Sequence, residues 1–138
     1  MDKSVPTVEI EVPARAEFVR MVRLVVAGVG SVARLDLEEI EDLKMAVGEA
    51  CYAAFFGAQT SETQVRISAR VLPEGVELLV RRGPCDPQAP PAFSDPSGPC
   101  ALGLALVEQV VDEVSLCLES GGRCLRILKL RRRPQLSM

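Results

Sequence analysis

The sequence predicts an α+β protein: a two-layer α/β sandwich in which helices cover one face of a mostly antiparallel sheet. Three observations predict it. Segments with period-two alternation are distinct from segments with helical periodicity. The later strands come in adjacent pairs joined by short turns. The order reads strand, helix, helix, strand, strand, long loop, helix, strand, strand, a pattern that closes into two layers. With 138 residues, the chain suits one domain, 1–138, large enough to bury a sizeable core.

Each element has its own local reason. Thr7 to Pro13 alternates, with Val8, Ile10 and Val12 on one face, which is a strand pattern. From about Ala14 to Ala33, Phe18, Val22, Val25, Val26 and Val29 recur at helical spacing, and Arg20 and Arg23 are expected to share the exposed face. Asp36 stands at an N-cap with Glu39 three residues on, a capping box with Asp in the cap role. The acidic turn of Glu38, Glu39, Glu41 and Asp42 suits the positive helix end. This second helix carries the stripe Ile40, Leu43, Val47, Ala50, Cys51 and Ala54, and runs to about Phe56, before Gly57.

Gln64 to Leu72 alternates again, Pro73-Glu74-Gly75 turns the chain, and Val76, Leu78 and Val80 return as the second arm of a hairpin. Gly83 to Pro99 then holds six prolines and two glycines in seventeen residues, a long loop of the kind that often carries function. A third helix follows from about Ala101 to Asp112. Glu113 to Leu118 and Cys124 to Leu130 are strands around a Ser120-Gly121-Gly122 turn.

Composition narrows the function. The net charge is −3, so there is no electrostatic reason to expect nucleic acid as a partner. The Arg131-Arg132-Arg133 run reads as a solvated tail, with an anion-contacting patch as the alternative. Met21 to Val29 is too short and interrupted to span a bilayer, and no secretory signal precedes it. A cytoplasmic protein with no membrane contact is the expectation. Five cysteines without a CxxC pair read as buried free thiols, with a redox-sensitive bridge between Cys85 and Cys100 as the alternative. No metal site is expected, because the chain has no histidine and no tight thiol spacing. The same lack of histidine excludes a Ser-His-Asp or Cys-His catalytic pair. There is also no asparagine anywhere.

The element order, with its long loop before the third helix, is similar to the Bergerat ATP-binding fold shared by histidine kinases, gyrase, Hsp90 and MutL. More specific segments are Val12-Pro13-Ala14 through Arg23-Leu24, Glu39-Ile40-Glu41-Asp42-Leu43-Lys44, and Ala46-Val47-Gly48-Glu49-Ala50-Cys51. Leu102-Gly103-Leu104, Val107-Glu108 and Asp112-Glu113-Val114 extend the match. Together they resemble the RsbW-type anti-sigma-factor serine kinases. That resemblance implies a histidine-kinase-like ATPase domain that binds a sigma factor, phosphorylates a serine on an antagonist protein with ATP and magnesium, and works as a homodimer. It also implies partner contacts through Arg23, with Arg20 a weaker companion. The alternative for Arg23 is an ordinary surface arginine.

The family's nucleotide motifs carry over unevenly. Its helix motif Glu-x-x-x-Asn becomes Glu49-Ala50-Cys51-Tyr52-Ala53. Glu49 keeps the position of the base, with a solvated helix acid as the alternative; Ala53 has no oxygen for magnesium. In place of the adenine-recognising Asp-x-Gly stands Val80-Arg81-Arg82-Gly83-Pro84, with Arg82 read at the acid's place and reversing its charge, and Asp86 the nearest acid that would restore the contact after a register slip. The glycine motif becomes Cys100-Ala101-Leu102-Gly103-Leu104, so Leu102 and Gly103 keep their positions while two glycines gain a Cβ. The alternative for Leu102-Gly103-Leu104 is a helix start packed on the sheet. Losing several charge-assisted contacts together removes roughly four or more powers of ten in affinity. The expectation is a pseudokinase that holds no cofactor, with ATP and magnesium bound only if the chain is instead an active kinase. Tyr52, Phe55 and Phe56 stand ready to fill part of the vacated pocket.

Overall fold

The computed structural model describes residues 5–55, 64–83, 101–119 and 122–132. Its elements are β1 (Thr7–Pro13), a single 3-10 turn (Ala16–Phe18), α1 (Val19–Val32), α2 (Leu37–Phe55), β2 (Gln64–Leu72), β3 (Gly75–Gly83), α3 (Ala101–Val110), β4 (Glu113–Glu119) and β5 (Gly122–Leu130). All strand pairs are antiparallel, in the order β1-β2-β3-β5-β4. The expected α+β sandwich is therefore what forms. The differences lie at element ends. The first helix opens as a 3-10 turn, α3 stops at Val110, and β3 runs on to Gly83, which places Arg82 inside the strand.

Alternation sorts the sheet into two faces. Val65, Ile67 and Ala69 of β2, Val76, Leu78 and Val80 of β3, and Leu125 and Ile127 of β5 are buried. They meet Val19, Val22, Val26 and Val29 of α1 and Leu43, Ala46, Val47 and Ala50 of α2 in one core. α2 packs on both α1 and α3. The other face is a polar ladder between directly opposed residues. Ser68 donates to Glu9, Arg66 pairs with Glu11, and Arg70 pairs with Glu77 at 2.7 Å. Glu77 also receives Arg126 Nε at 2.6 Å, and Arg126 reaches Glu113 as well. Those carboxylates hold the Arg126 guanidinium above its ordinary pKa.

The turn between α1 and α2 is closely specified. α1 ends in a Schellman motif: the Leu35 N–H donates to Gly30 O and the Arg34 N–H to Ser31 O, both at 3.0 Å. The left-handed residue is Arg34, at φ 64°, where glycine is usual. The capping box forms as expected. Glu39 Oε1 accepts the Asp36 N–H and Asp36 Oδ1 accepts the Glu39 N–H, each at 2.7 Å.

Two expectations are corrected here. Arg131 and Arg132 are neither a free tail nor an anion patch. Arg131 donates to Ala33 O at 2.9 Å and Pro73 O at 3.0 Å, and the Arg132 N–H donates to Glu39 Oε2 at 2.6 Å. They tie the end of β5 to the α1–α2 turn: Arg131 gives a donor to Ala33 O, a carbonyl that the helix end leaves unpaired, and Arg132 gives its N–H to the capping carboxylate of Glu39. Arg133 lies outside the described residues. The cysteines are not all free either. Cys51 is free and buried, but Cys124 is disulfide-bonded. A missing CxxC motif says nothing about thiols that folding brings together. Cys85 and Cys100 lie outside the described residues.

Candidate functional site

The residues singled out from the sequence gather at the carboxyl half of α2, the amino end of α3 and the end of β3. Small residues make the approach possible: Ala46, Gly48, Ala50, Ala53 and Ala54 line α2 where its neighbours press closest. Glu49 is half-buried and turned toward α3. A Cβ added to Gly103, the third residue of α3, would overlap Glu49 Oε1 and lie 3.2 Å from its Cδ. Glu49 and Gly103 are thus brought together.

Ala53, one turn after Glu49, is fully buried. It presents a methyl group and no oxygen. Arg82 is half-buried, and its Nη1 donates to Ala54 O at 3.4 Å. That carbonyl belongs to the last turn of α2, which lacks intrahelical donors and carries the negative end of the helix dipole. A guanidinium only donates, so it cannot accept the exocyclic amine of adenine. Gly83 closes β3 opposite Gln64. Leu102 lies within α3, but its side chain is outside the described residues, as are Phe55's side chain, Phe56 and Asp86. Tyr52 is 41% exposed, so it does not plug a pocket. Among the described residues, no three His, Cys, Asp or Glu side chains cluster to hold a metal ion. The donor set here does not fit magnesium–ATP: the position that the resemblance gives to a metal ligand is a methyl, and by the spacing of Asp-x-Gly the acid two residues before Gly83 falls on Arg81, so arginines, which only donate, stand at both 81 and 82.

Arg20 and Arg23 part company. Arg20 is exposed. Arg23 is not on the exposed face that was expected to carry both. Its guanidinium lies over Gly48, where a Cβ would stand 2.5 Å from Nη2 and 2.7 Å from Nε. The buried Nε makes no hydrogen bond among the described residues. Cys51, one turn along α2, feels both effects. Burial pushes its thiol up to about 12, and the Arg23 charge draws it partway back.

Three features escaped sequence reasoning. Gly48 offered a signal, since a glycine within a helix costs about 1 kcal/mol relative to alanine and needs a packing reason. The buried Lys129 did not. Its Nζ donates to Val110 O at 2.6 Å and pairs with Asp42 at 3.2 Å, joining β5 to both α3 and α2. The third is an apolar exposed stripe on α1, with Met21 at 51%, Leu24 at 67% and Val32 at 69% exposure. Gly28 sits within it, and a Cβ there would meet nothing within 4 Å.

Comparison with known proteins extends the picture. The profile of the histidine kinase-like ATPase domain matches residues 12–129. The chain is 34% identical over 134 residues to the serine-protein kinase RsbW of Bacillus velezensis, covering 88% of this chain and 84% of that one. It is 32% identical over 134 residues, with the same coverage, to the serine-protein kinase RsbW of Bacillus subtilis. The crystal structure of the RsbU and RsbW domains of Rv1364c from Mycobacterium tuberculosis superimposes with a TM-score of 0.65 over 93% of this chain. At 21% identity, and with this chain spanning 33% of that one, the likeness is one of fold. No helix among the described residues is long and apolar enough to cross a membrane.

Proposed function

Because the chain belongs to the RsbW-type histidine kinase-like ATPase domains, we propose that it is an anti-sigma-factor-like regulator that works by binding rather than by phosphoryl transfer. Its partner is a sigma factor, an anti-sigma-factor antagonist protein, or each in turn. The chain acts as one domain, as a homodimer, in the cytoplasm, away from nucleic acid and membrane. The observation that carries this reading is Ala53, fully buried where a magnesium ligand is required. Phosphoryl transfer rests on positioning and charge neutralisation by the metal. A methyl supplies neither. Arginine at both 81 and 82, where Asp-x-Gly would bring an acid, removes the adenine contact independently.

The binding half of the reading draws on α1. An exposed stripe of Met21, Leu24 and Val32 around an unobstructed Gly28 suits the close approach of another protein surface, and exposed Arg20 lies beside it. Interfaces typically combine such apolar centres with polar or arginine rims. We place Arg20 in direct partner contact. Arg23 acts from underneath, by setting the spacing of α1 on Gly48.

Retention of Glu49 favours a second reading, an active serine kinase with a rearranged site that uses ATP and magnesium. Titration calorimetry with Mg-ATP separates the two. The first expects no heat at micromolar nucleotide, and capture of a sigma factor or antagonist whether or not nucleotide is present. Micromolar binding with phosphate appearing on an antagonist serine overturns it.

A further inference from the structure

α3 is held at two points of different chemistry. At its carboxyl end, Lys129 Nζ donates to Val110 O at 2.6 Å and pairs with Asp42 of α2 at 3.2 Å. The lysine side chain is only 8% exposed, so this is a buried, directed anchor. At its amino end, Gly103 rests against the Glu49 carboxylate with no room for a Cβ. That contact is a stop rather than a bond. Among the described residues, Glu49 makes no hydrogen bond or ion pair. A half-buried carboxylate is stabilised near the positive end of a helix dipole, and here the amino end of α3 supplies that environment. Outside this contact, alanine is the better helix residue at position 103. The glycine is accounted for by Glu49.

We propose that α3 is a lever pivoted at its carboxyl end by Lys129 and stopped at its amino end by Glu49, so that the Glu49 carboxylate sets the rest position of α3 and is masked while it does so. This deepens the binding-protein reading and rests on it: the one acid retained from the family's helix motif serves as a packing stop between α2 and α3 rather than as a base. A change that draws the carboxylate away frees the amino end of α3 first, because the other end is anchored in the core.

A double-mutant cycle in the full chain tests the contact. Gly103→Ala should lower Tm by about 3 °C or more in the native background. In a Glu49→Ala background the same change should be neutral or raise Tm, since only the helix preference remains. Equal shifts in both backgrounds overturn the proposal. Hydrogen exchange tests the pivot. Glu49→Ala should speed exchange at Ala105 and Leu106 several-fold and leave Val110 and Val111 unchanged, whereas Lys129→Met should speed Val110 and Val111. Even acceleration along the whole helix in Glu49→Ala overturns the lever. These results are independent of nucleotide. Micromolar Mg-ATP binding would sink the binding-protein reading while leaving the cycle's outcome to judge the contact alone.

Discussion

Replacing Gly28 should strengthen the fold and weaken association, and that opposition is a sharp test of what α1 is for. Gly28 lies inside α1, is exposed, and a Cβ there would meet nothing within 4 Å. No contact among the described residues therefore explains a glycine that costs about 0.8–1 kcal/mol of helix preference relative to alanine. Gly28→Ala should recover that amount, which for a domain of this size raises Tm by about 3–6 °C. Gly28→Arg should recover most of it and also place a charge among Met21, Leu24 and Val32. Melts must be run dilute. A dimer is stabilised by mass action at high concentration, and losing it would offset the gain in helix stability. Sedimentation velocity across a concentration series then reads association directly. The reasoning fails if Gly28→Ala lowers Tm in dilute solution, which would mean an internal role. It fails equally if Gly28→Arg leaves the association constant unchanged.

Glu39→Ala leaves the Asp36 and Arg132 N–H groups without their acceptor and should cost about 2–4 kcal/mol in urea unfolding, with Glu39→Gln less damaging. Arg34→Gly relieves a side chain held at φ 64° and should stabilise by about 1 kcal/mol, read as a higher urea midpoint with an unchanged slope. Cys51, with its thiol raised from 9.0 to about 12 by burial, should resist iodoacetamide at pH 8.5 in the native state and react once the chain is unfolded. Its raised value means the folded state holds the proton more tightly. The corresponding stability is complete below about pH 9 and is lost as pH climbs toward 12, so a melting series that stays flat above pH 9 would contradict it.

Much of the fold was legible because burial imposes simple periods. β2 and β3 alternate because one face meets α1 and α2 while the other carries the Arg70–Glu77–Arg126 ladder. The Asp36–Glu39 box was legible because both bonds are local. Features set by distant contacts were not. Arg23 lies three positions from Arg20 and reads as its companion, yet its direction is decided by an opening in another helix, at Gly48. Arg131 and Arg132 read as a charge run because nothing near them in sequence shows that Ala33 O, Pro73 O and Glu39 will be within reach. At position 53 the lack of a side-chain oxygen could be read directly, since absence of a functional group needs no geometry. The contacts that Arg82 and Glu49 make could not.

Those contacts bear on the proposed loss of nucleotide binding. Ala53 fills a fully buried position where an asparagine amide would need partners. Arg82 donates to an end carbonyl of α2, where a carboxylate would be repelled by the helix dipole. Gly103 receives the Glu49 carboxylate. The departures at Ala53 and Arg82 are thus locally favourable in the resting structure, and reverting either alone should destabilise the chain before it restores any chemistry. α1 shows the opposite balance: its exposed leucine, methionine, valine and unobstructed glycine are unfavourable for an isolated chain and become useful only when covered. α2 lies between, packing on α1 and α3 alike, so the two ends of the helical layer can answer to different demands.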